Sequence, residues 1–266
     1  MPTLLSDNAI TQYRQDGYFF PVKILDDAQV AASRTKLEEY EEAQGKPIGG
    51  VQRNKSHLLF KWVDDLMRHS KILDAVEDLI GPDILCWNTL FWVKEPQSGT
   101  FVSWHQDLRY WGLDTHDLVT AWLALSSATF ESGCMRVLPG SHQGELMPHK
   151  DEFQDNNMLT RGQEISMEVD EAKAVPMPLR PGELSLHNGR MAHASGPNRS
   201  TDRRIGLSLH YMPTTTHQIV GEWDSAALVR GEDRFGHFKD CPRPTRDLDP
   251  VTVEFHKKAT DAVREI

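Results

Sequence analysis

Over the first eighty or so residues the apolar positions recur at intervals of three and four; from about residue 84 they alternate or run in short blocks. The two periods predict different elements. Asp7 is placed to cap a short helix to Asp16, with Gly17 as its stop. "GYFFPVKIL" then predicts a short strand. Asp26 or Asp27 caps a helix through about Gln44, ended by Gly45 and Pro47. Residues 46–56 form a polar, glycine-containing loop. From His57 to Ile80 the spacing of Ile72, Val76, Leu79 and Ile80 predicts one helix, stopped by Gly81-Pro82.

The later part of the chain predicts strands. They are "ILCWNTLFWV" (84–93), "TFVSWHQD" (100–107), "LVTAWLAL" (118–125), "CMRVLP" (134–139), "ELSLH" (183–187) and "RIGLSLHYM" (204–212). Gly, Pro, Asn and Ser turns separate them. The predicted fold class is mainly β with flanking α-helices, an antiparallel barrel or jelly roll rather than repeated βαβ units. Residues 141–172 are polar and glutamate-rich, and are expected to form a lid over the barrel mouth. The tail after Pro213 is polar and ends in a short helix from about Val251. Residues 1–266 are therefore expected to form one domain: a helical part (1–82), the β core (84–213) and a C-terminal extension (214–266).

Composition narrows the partners. The formal net charge of −10 argues against nucleic acid, whose phosphates call for lysine and arginine. A small-molecule substrate fits better. The cysteines Cys86, Cys134 and Cys241 form no CxxC pair, which fits a reducing compartment. The first residues show no signal-peptide pattern, and no apolar run approaches the roughly 18 residues of a membrane span. A cytoplasmic location is the expectation. The apolar helices near the N-terminus could supply a homodimer surface.

The candidate chemistry begins at "WHQDLRYWG". On a strand, His105 and Asp107 would share a face. An imidazole and a carboxylate suit a divalent metal, and one more histidine would complete a 2-His-1-carboxylate triad. The downstream candidates are His116, His142, His149, His187, His193, His210 and His217. A bare His-x-Asp also fits a core histidine with a carboxylate partner. The segment "HNGRMAHASGPNRSTDRR" adds His193 before a turn, then Arg203 and Arg204 at the head of the last apolar strand. Arginine there is costly unless its fork meets an anion. Only one of the two neighbours can point inward.

The chain resembles the phytanoyl-CoA hydroxylase family of Fe(II) and 2-oxoglutarate dioxygenases. The resemblance runs through "DGYFFPVKIL", "GPDILCWNTLFWVKEP", "SWHQD", "TAWLAL", "GCMRVLPGSH" and "HASGPNRSTDRR". It implies a double-stranded β-helix (jelly-roll, cupin-like) core, and Fe(II), 2-oxoglutarate and dioxygen as cofactors. It implies His105, Asp107 and His193 as iron ligands, with His187 the rival to His193. Arg204, eleven residues after His193, would grip the distal carboxylate of 2-oxoglutarate. Ser195 would assist, and Trp122 would flank the site. Asp107 stands where related halogenases carry a small residue, so hydroxylation is expected rather than chlorination.

The substrate is expected to be small and polar or zwitterionic. Arg53, Lys55, His57, Arg109, Tyr110 and Arg161 are the candidate contacts, with Trp87, Trp104 and Trp111 as an aromatic wall. An organophosphonate such as 2-aminoethylphosphonate leads. An amino acid, a betaine-like solute or a secondary-metabolite intermediate is the alternative. A catalytically inactive metal-binding jelly-roll module, or a zinc enzyme of cupin type, is the alternative of another class.

Overall fold

The computed structural model describes residues 3–264. Its helices are α1 (Asp7–Asp16), α2 (Asp27–Gln44), α3 (Lys61–Met67), α4 (Ser70–Ile80) and α5 (Pro250–Arg264). Its strands are β1 (Tyr18–Lys23), β2 (Ile84–Lys94), β3 (Val102–His105), β4 (Val119–Ala124), β5 (Met135–Val137), β6 (His149–Asp151) and β7 (Gln163–Ile165). The strands β8 (Val175–Met177), β9 (Glu183–Asn188), β10 (His193–Ser195), β11 (Arg204–Pro213), β12 (Ser225–Arg230) and β13 (Lys239–Asp240) complete the set. Helix and strand contents are comparable, so the chain is mixed α and β rather than mainly β.

A seven-stranded sheet has the order β1-β9-β4-β11-β2-β12-β13, and a four-stranded sheet the order β3-β10-β5-β8. All their pairings are antiparallel except β12 with β13. The large sheet has two unlike faces. On β11, Ile205, Leu207, Leu209 and Tyr211 join the main apolar core, as do Val119, Ala121 and Leu123 of β4 and Leu184 and Leu186 of β9. Helices α1 to α4 add Ile10, Leu37, Val63, Ile72 and Val76 to that core. Each such side chain contributes about 1.5–3 kcal/mol when fully buried. The alternate residues Arg204, Ser208 and His210 of β11, Thr120 and Trp122 of β4, and His187 of β9 face a cavity instead. Strand alternation thus places the polar set.

Local signals fix the helix ends. Ser6, not Asp7, caps α1 by accepting from the Ala9 amide. Asp26 and Gln29 form a reciprocal capping box at α2. The expected helix 57–80 is two helices: Arg68 leaves helical geometry at the end of α3, and its side chain donates to the Leu228 carbonyl of β12 at 2.7 Å. The apolar spacing persists because Val63, Met67, Ile72 and Val76 enter one core. The tail after Pro213 is also more regular than expected, since β12 pairs with β2. The presumed loop 141–172 contains the β6–β7 hairpin.

Two candidate substrate residues are structural. Lys55 lies 1% exposed, and its Nζ donates to the carbonyls of Trp87 (2.9 Å) and Ser225 (2.7 Å) and pairs with Asp224 at 3.3 Å. His57 is buried against Thr89, with Nδ1 at 3.1 Å from Oγ1. Neither lines the cavity. The cationic residues of "QRNKSH" were placed at the substrate by charge alone, and the Asp224 carboxylate claims Lys55. Asp224→Ala leaves a buried ammonium without its counter-ion, and is expected to lower unfolding free energy by roughly 3–5 kcal/mol in urea denaturation.

Candidate active site

Three side chains converge at a cavity lined by strands of both sheets. His105 ends β3 and His193 opens β10, and the two are direct cross-strand partners. Their ring centroids are 4.1 Å apart. Strand β3 stops at His105, so Asp107 lies on the following 3₁₀ turn rather than on the strand. The turn swings its carboxylate back: Oδ1 is 3.3 Å from His105 Nε2 and 3.9 Å from His193 Nε2.

The backbone sets both histidine tautomers. His105 Nδ1 donates to the Ser103 carbonyl and His193 Nδ1 to the Met191 carbonyl, each at 2.9 Å. Each Nε2 is therefore a bare lone pair, and that of His105 is buried with no hydrogen-bond partner. One ligand atom from each residue falls within a 4.8 Å cluster. Three buried acceptors without a donor between them fit a cation.

Electrostatics keeps His193 and Asp107 in their metal-binding protonation states. Burial, with the His105 ring beside it, pushes His193 down to about 4. Burial would raise the Asp107 carboxyl, yet the surrounding His193, His105 and His210 rings hold it below the usual carboxylate range. His187 lies beside the trio, with Nε2 at 4.0 Å from Asp107 Oδ2, but outside the cluster.

Arg204 occupies another part of the same cavity. It is 2% exposed and lies over the Trp122 ring at 5.2 Å. One guanidinium nitrogen donates to the Gly133 carbonyl at 3.0 Å, and Nε has no partner. No carboxylate among the described residues pairs with it. Burial pushes it down to about 10. Arg203 points the other way and is held by Glu41 (2.7 Å) and Glu95 (2.9 Å). Trp122 reaches Arg204 because Gly206 leaves room: a Cβ there would sit 1.9 Å from the indole.

Lys94 is a further cation that sequence reasoning missed. It is the cross-strand partner of Arg204, and its Nζ donates to Ser195 Oγ at 2.7 Å and to the Gly196 carbonyl at 2.5 Å. Burial and the neighbouring Arg204 push it down to about 6. Its parity was the available signal, since Asn88, Leu90 and Trp92 of the same strand line the cavity. Its donors are taken up by Ser195 and Gly196, so the charge left open to an anion is that of Arg204, which has no acid beside it among the described residues.

The remaining candidates divide. Arg53 lines the cavity, stacks on Trp92 at 5.1 Å and donates to the Met158 carbonyl at 2.7 Å. Arg161 and Tyr110 also line it, and the Tyr110 hydroxyl donates to Asp151 at 3.0 Å. Arg109 is exposed outside it, because the 3₁₀ turn at Asp107 directs it to solvent. Trp87 and Trp111 form a wall, 4.8 Å between centroids. Trp104 instead donates to Glu171 on the outside. His149 receives the Gln106 amide at 3.1 Å and so braces the turn between two of the trio. His210, one of the histidines considered as a third ligand, lines the cavity outside the trio, as does Asn88, which sequence reasoning did not single out.

The comparisons with known proteins agree with this geometry. The profile of the phytanoyl-CoA dioxygenase (PhyH) family matches residues 13–206. A probable alpha-ketoglutarate-dependent hypophosphite dioxygenase of Stutzerimonas stutzeri is 30% identical over 196 residues, covering 71% of this chain and 67% of that protein. The human peroxisomal phytanoyl-CoA dioxygenase is 29% identical, covering 78% and 68%. The structure of the non-heme monooxygenase ThoJ in its apo form superposes with a TM-score of 0.85 at 35% identity, over 96% of each chain. The expected cytoplasmic location is overturned: four of the phytanoyl-CoA dioxygenase relatives are named as peroxisomal. Among the described residues no helix is long and apolar enough to cross a membrane.

The depressed histidines have a measurable consequence. His193 and His210 both fall from 6.5 to about 4, and His57 and His187 are lowered as well. Between those values the unfolded chain binds more protons than the folded one, so stability is present above pH 6.5 and is lost as pH falls toward 4. His193 and His210 each contribute on the order of 3 kcal/mol to that loss, and His57 and His187 act in the same direction. Urea midpoints of the metal-free protein are expected to fall steeply across this window; a flat profile would contradict the buried neutral rings. The chain belongs to the phytanoyl-CoA dioxygenase family of Fe(II)- and 2-oxoglutarate-dependent dioxygenases.

Proposed function

We propose that the protein hydroxylates a small anionic substrate, with an organophosphonate as the leading class, on a double-stranded β-helix core spanning the two facing sheets. His105, Asp107 and His193 hold the metal in this reading. Arg204, with Lys94 and Ser195 beside it and Trp122 beneath it, holds the distal carboxylate of 2-oxoglutarate. The observation that carries this is the buried, acid-free Arg204 in one cavity with three converging acceptors. An unpaired buried guanidinium is too costly to keep unless a ligand completes it.

Fe(II), 2-oxoglutarate and dioxygen together supply the oxidising equivalents that convert a substrate C–H to C–OH, with succinate and carbon dioxide as coproducts. The chain's own residues position the reactants. The Nδ1 contacts of His105 and His193 fix both rings, and Thr120 donates to Asp107 Oδ2 at 3.4 Å, leaving Oδ1 for the shared point. The indole of Trp122 covers one face of Arg204, shielding its fork from water.

The anionic substrate is supported by Arg53 and Arg161. Both line the cavity, and neither has an acidic partner among the described residues. The name of the Stutzerimonas relative adds a phosphorus oxyanion to that support. The mixed face of Trp87 and Trp111 leaves an amino acid or betaine-like solute as the second choice.

Anaerobic Fe(II) addition followed by 2-oxoglutarate should give a visible metal-to-ligand charge-transfer band. Succinate release should then rise with a small phosphonate above the uncoupled background. Arg204→Leu is expected to weaken 2-oxoglutarate binding by roughly a hundredfold, the scale of a lost charge-assisted pair, while leaving Mn(II) affinity unchanged. An unaltered 2-oxoglutarate affinity in that variant would refute the assignment of Arg204.

A further inference from the structure

Beneath the metal trio a single polar row crosses four strands of the large sheet. His187 pairs with Thr120, Thr120 with His210, and His210 with Asn88, on β9, β4, β11 and β2. All four line the cavity. The proposed iron and 2-oxoglutarate roles use none of them except Thr120. Three ring nitrogens in the row, both of His187 and Nε2 of His210, are buried without a partner. Buried polar atoms left open in this way call for a ligand.

Hydrogen-bond logic fixes what His210 offers. The Asp107 carboxylate only accepts, so the Thr120 hydroxyl donates to it at 3.4 Å. Having one proton, Thr120 Oγ1 must then accept from His210 Nδ1, 3.1 Å away. The proton of His210 is therefore on Nδ1, and its Nε2 shows a bare lone pair to the cavity. The surroundings suit a polar or cationic group: the Trp111 ring is 4.6 Å from the His210 ring and that of Trp87 is 6.4 Å away. Arg53 stacks over Trp92, four residues along β2 from Asn88. An anion held at Arg53 would thus lie roughly 13 Å of strand from the His210 row, less the reach of the side chains.

We infer that His210 is a specificity-determining residue. Its Nε2 accepts a hydrogen bond from an N–H of the substrate, so the preferred substrate carries an amine as well as the anionic group held by the arginines. This deepens the proposed function and rests on its anionic-substrate reading; the identity of the anion is a separate question.

The test uses isosteric pairs that differ only in the amine. One pair is 2-aminoethylphosphonate and propylphosphonate; the other is 3-aminopropanoate and butanoate. Each is titrated calorimetrically into the anaerobic Fe(II)–2-oxoglutarate holoenzyme. The wild type is expected to favour the amine in at least one pair by about tenfold or more, the scale of one charge-assisted hydrogen bond. His210→Leu should abolish that preference, weakening only the amine-bearing member. His210→Gln, whose carboxamide oxygen can accept in the same region, should restore part of it. Retained 2-oxoglutarate affinity and an unchanged melting transition identify variants that are correctly folded. A preference seen only in the carboxylate pair would keep the role of His210 and remove the phosphonate. Equal binding within both pairs, binding by no member of either, or a preference that survives His210→Leu would overturn the inference.

Discussion

Each central strand must satisfy two environments at once, and the rest of the molecule follows from that constraint. On β11 the odd positions Ile205, Leu207, Leu209 and Tyr211 are buried among helices, while Arg204, Ser208 and His210 face the cavity. A one-residue slip would put an arginine and a histidine into the apolar core and four large apolar groups into the site. The apolar face therefore does more than stabilise. It locks the register that aligns Arg204 with Lys94 and His210 with both Thr120 and Asn88.

That register collects charges the protein does not itself balance. Three acceptors meet at Asp107, His105 and His193, and the buried Arg204 guanidinium has no acid beside it among the described residues. Lone-pair repulsion at one place and an unbalanced cation at the other are both relieved by ligands of opposite character. Ligand binding and folding stability are then two views of the same free energy, because species that bind only the folded state stabilise it. Arg203 shows the contrasting solution one residue away, where Glu41 and Glu95 neutralise the charge internally.

The parts legible in the sequence were those whose chemistry is local. His105 and Asp107 are two residues apart, His193 sits in a short motif, and the Arg203–Arg204 choice is limited by strand alternation. What remained hidden depends on partners far along the chain. Lys94 gains meaning only from Arg204 and Ser195, and His210 only from Thr120. A register shift at Trp87, between the pairs Cys86–Tyr211 and Asn88–His210, makes β2 change face partway along. No period-two count carried through that strand could assign both ends correctly. Charge proved a poor guide to position: Arg53 reaches the cavity, but Lys55, two residues on, ends as the buried partner of Asp224. The break at Arg68 was hidden for a similar reason, since the carbonyl its side chain meets lies far along the chain on β12.

Thr120 joins the two halves of the site through one proton. Its hydroxyl can donate only once, and Asp107 Oδ2 takes that donation, which orients the carboxylate so that Oδ1 faces the two histidines. The same commitment forces His210 to donate through Nδ1 and to present Nε2 to the cavity. The orientation of a metal-binding carboxylate and the hydrogen-bonding polarity of the cavity floor are consequently not independent choices. A valine at this position would preserve the β-branched shape on β4 and remove both constraints together. The arrangement explains why a small hydroxyl, rather than a larger polar side chain, suits this point. It fills the gap between Asp107 and His210 without intruding on the space the reacting groups need.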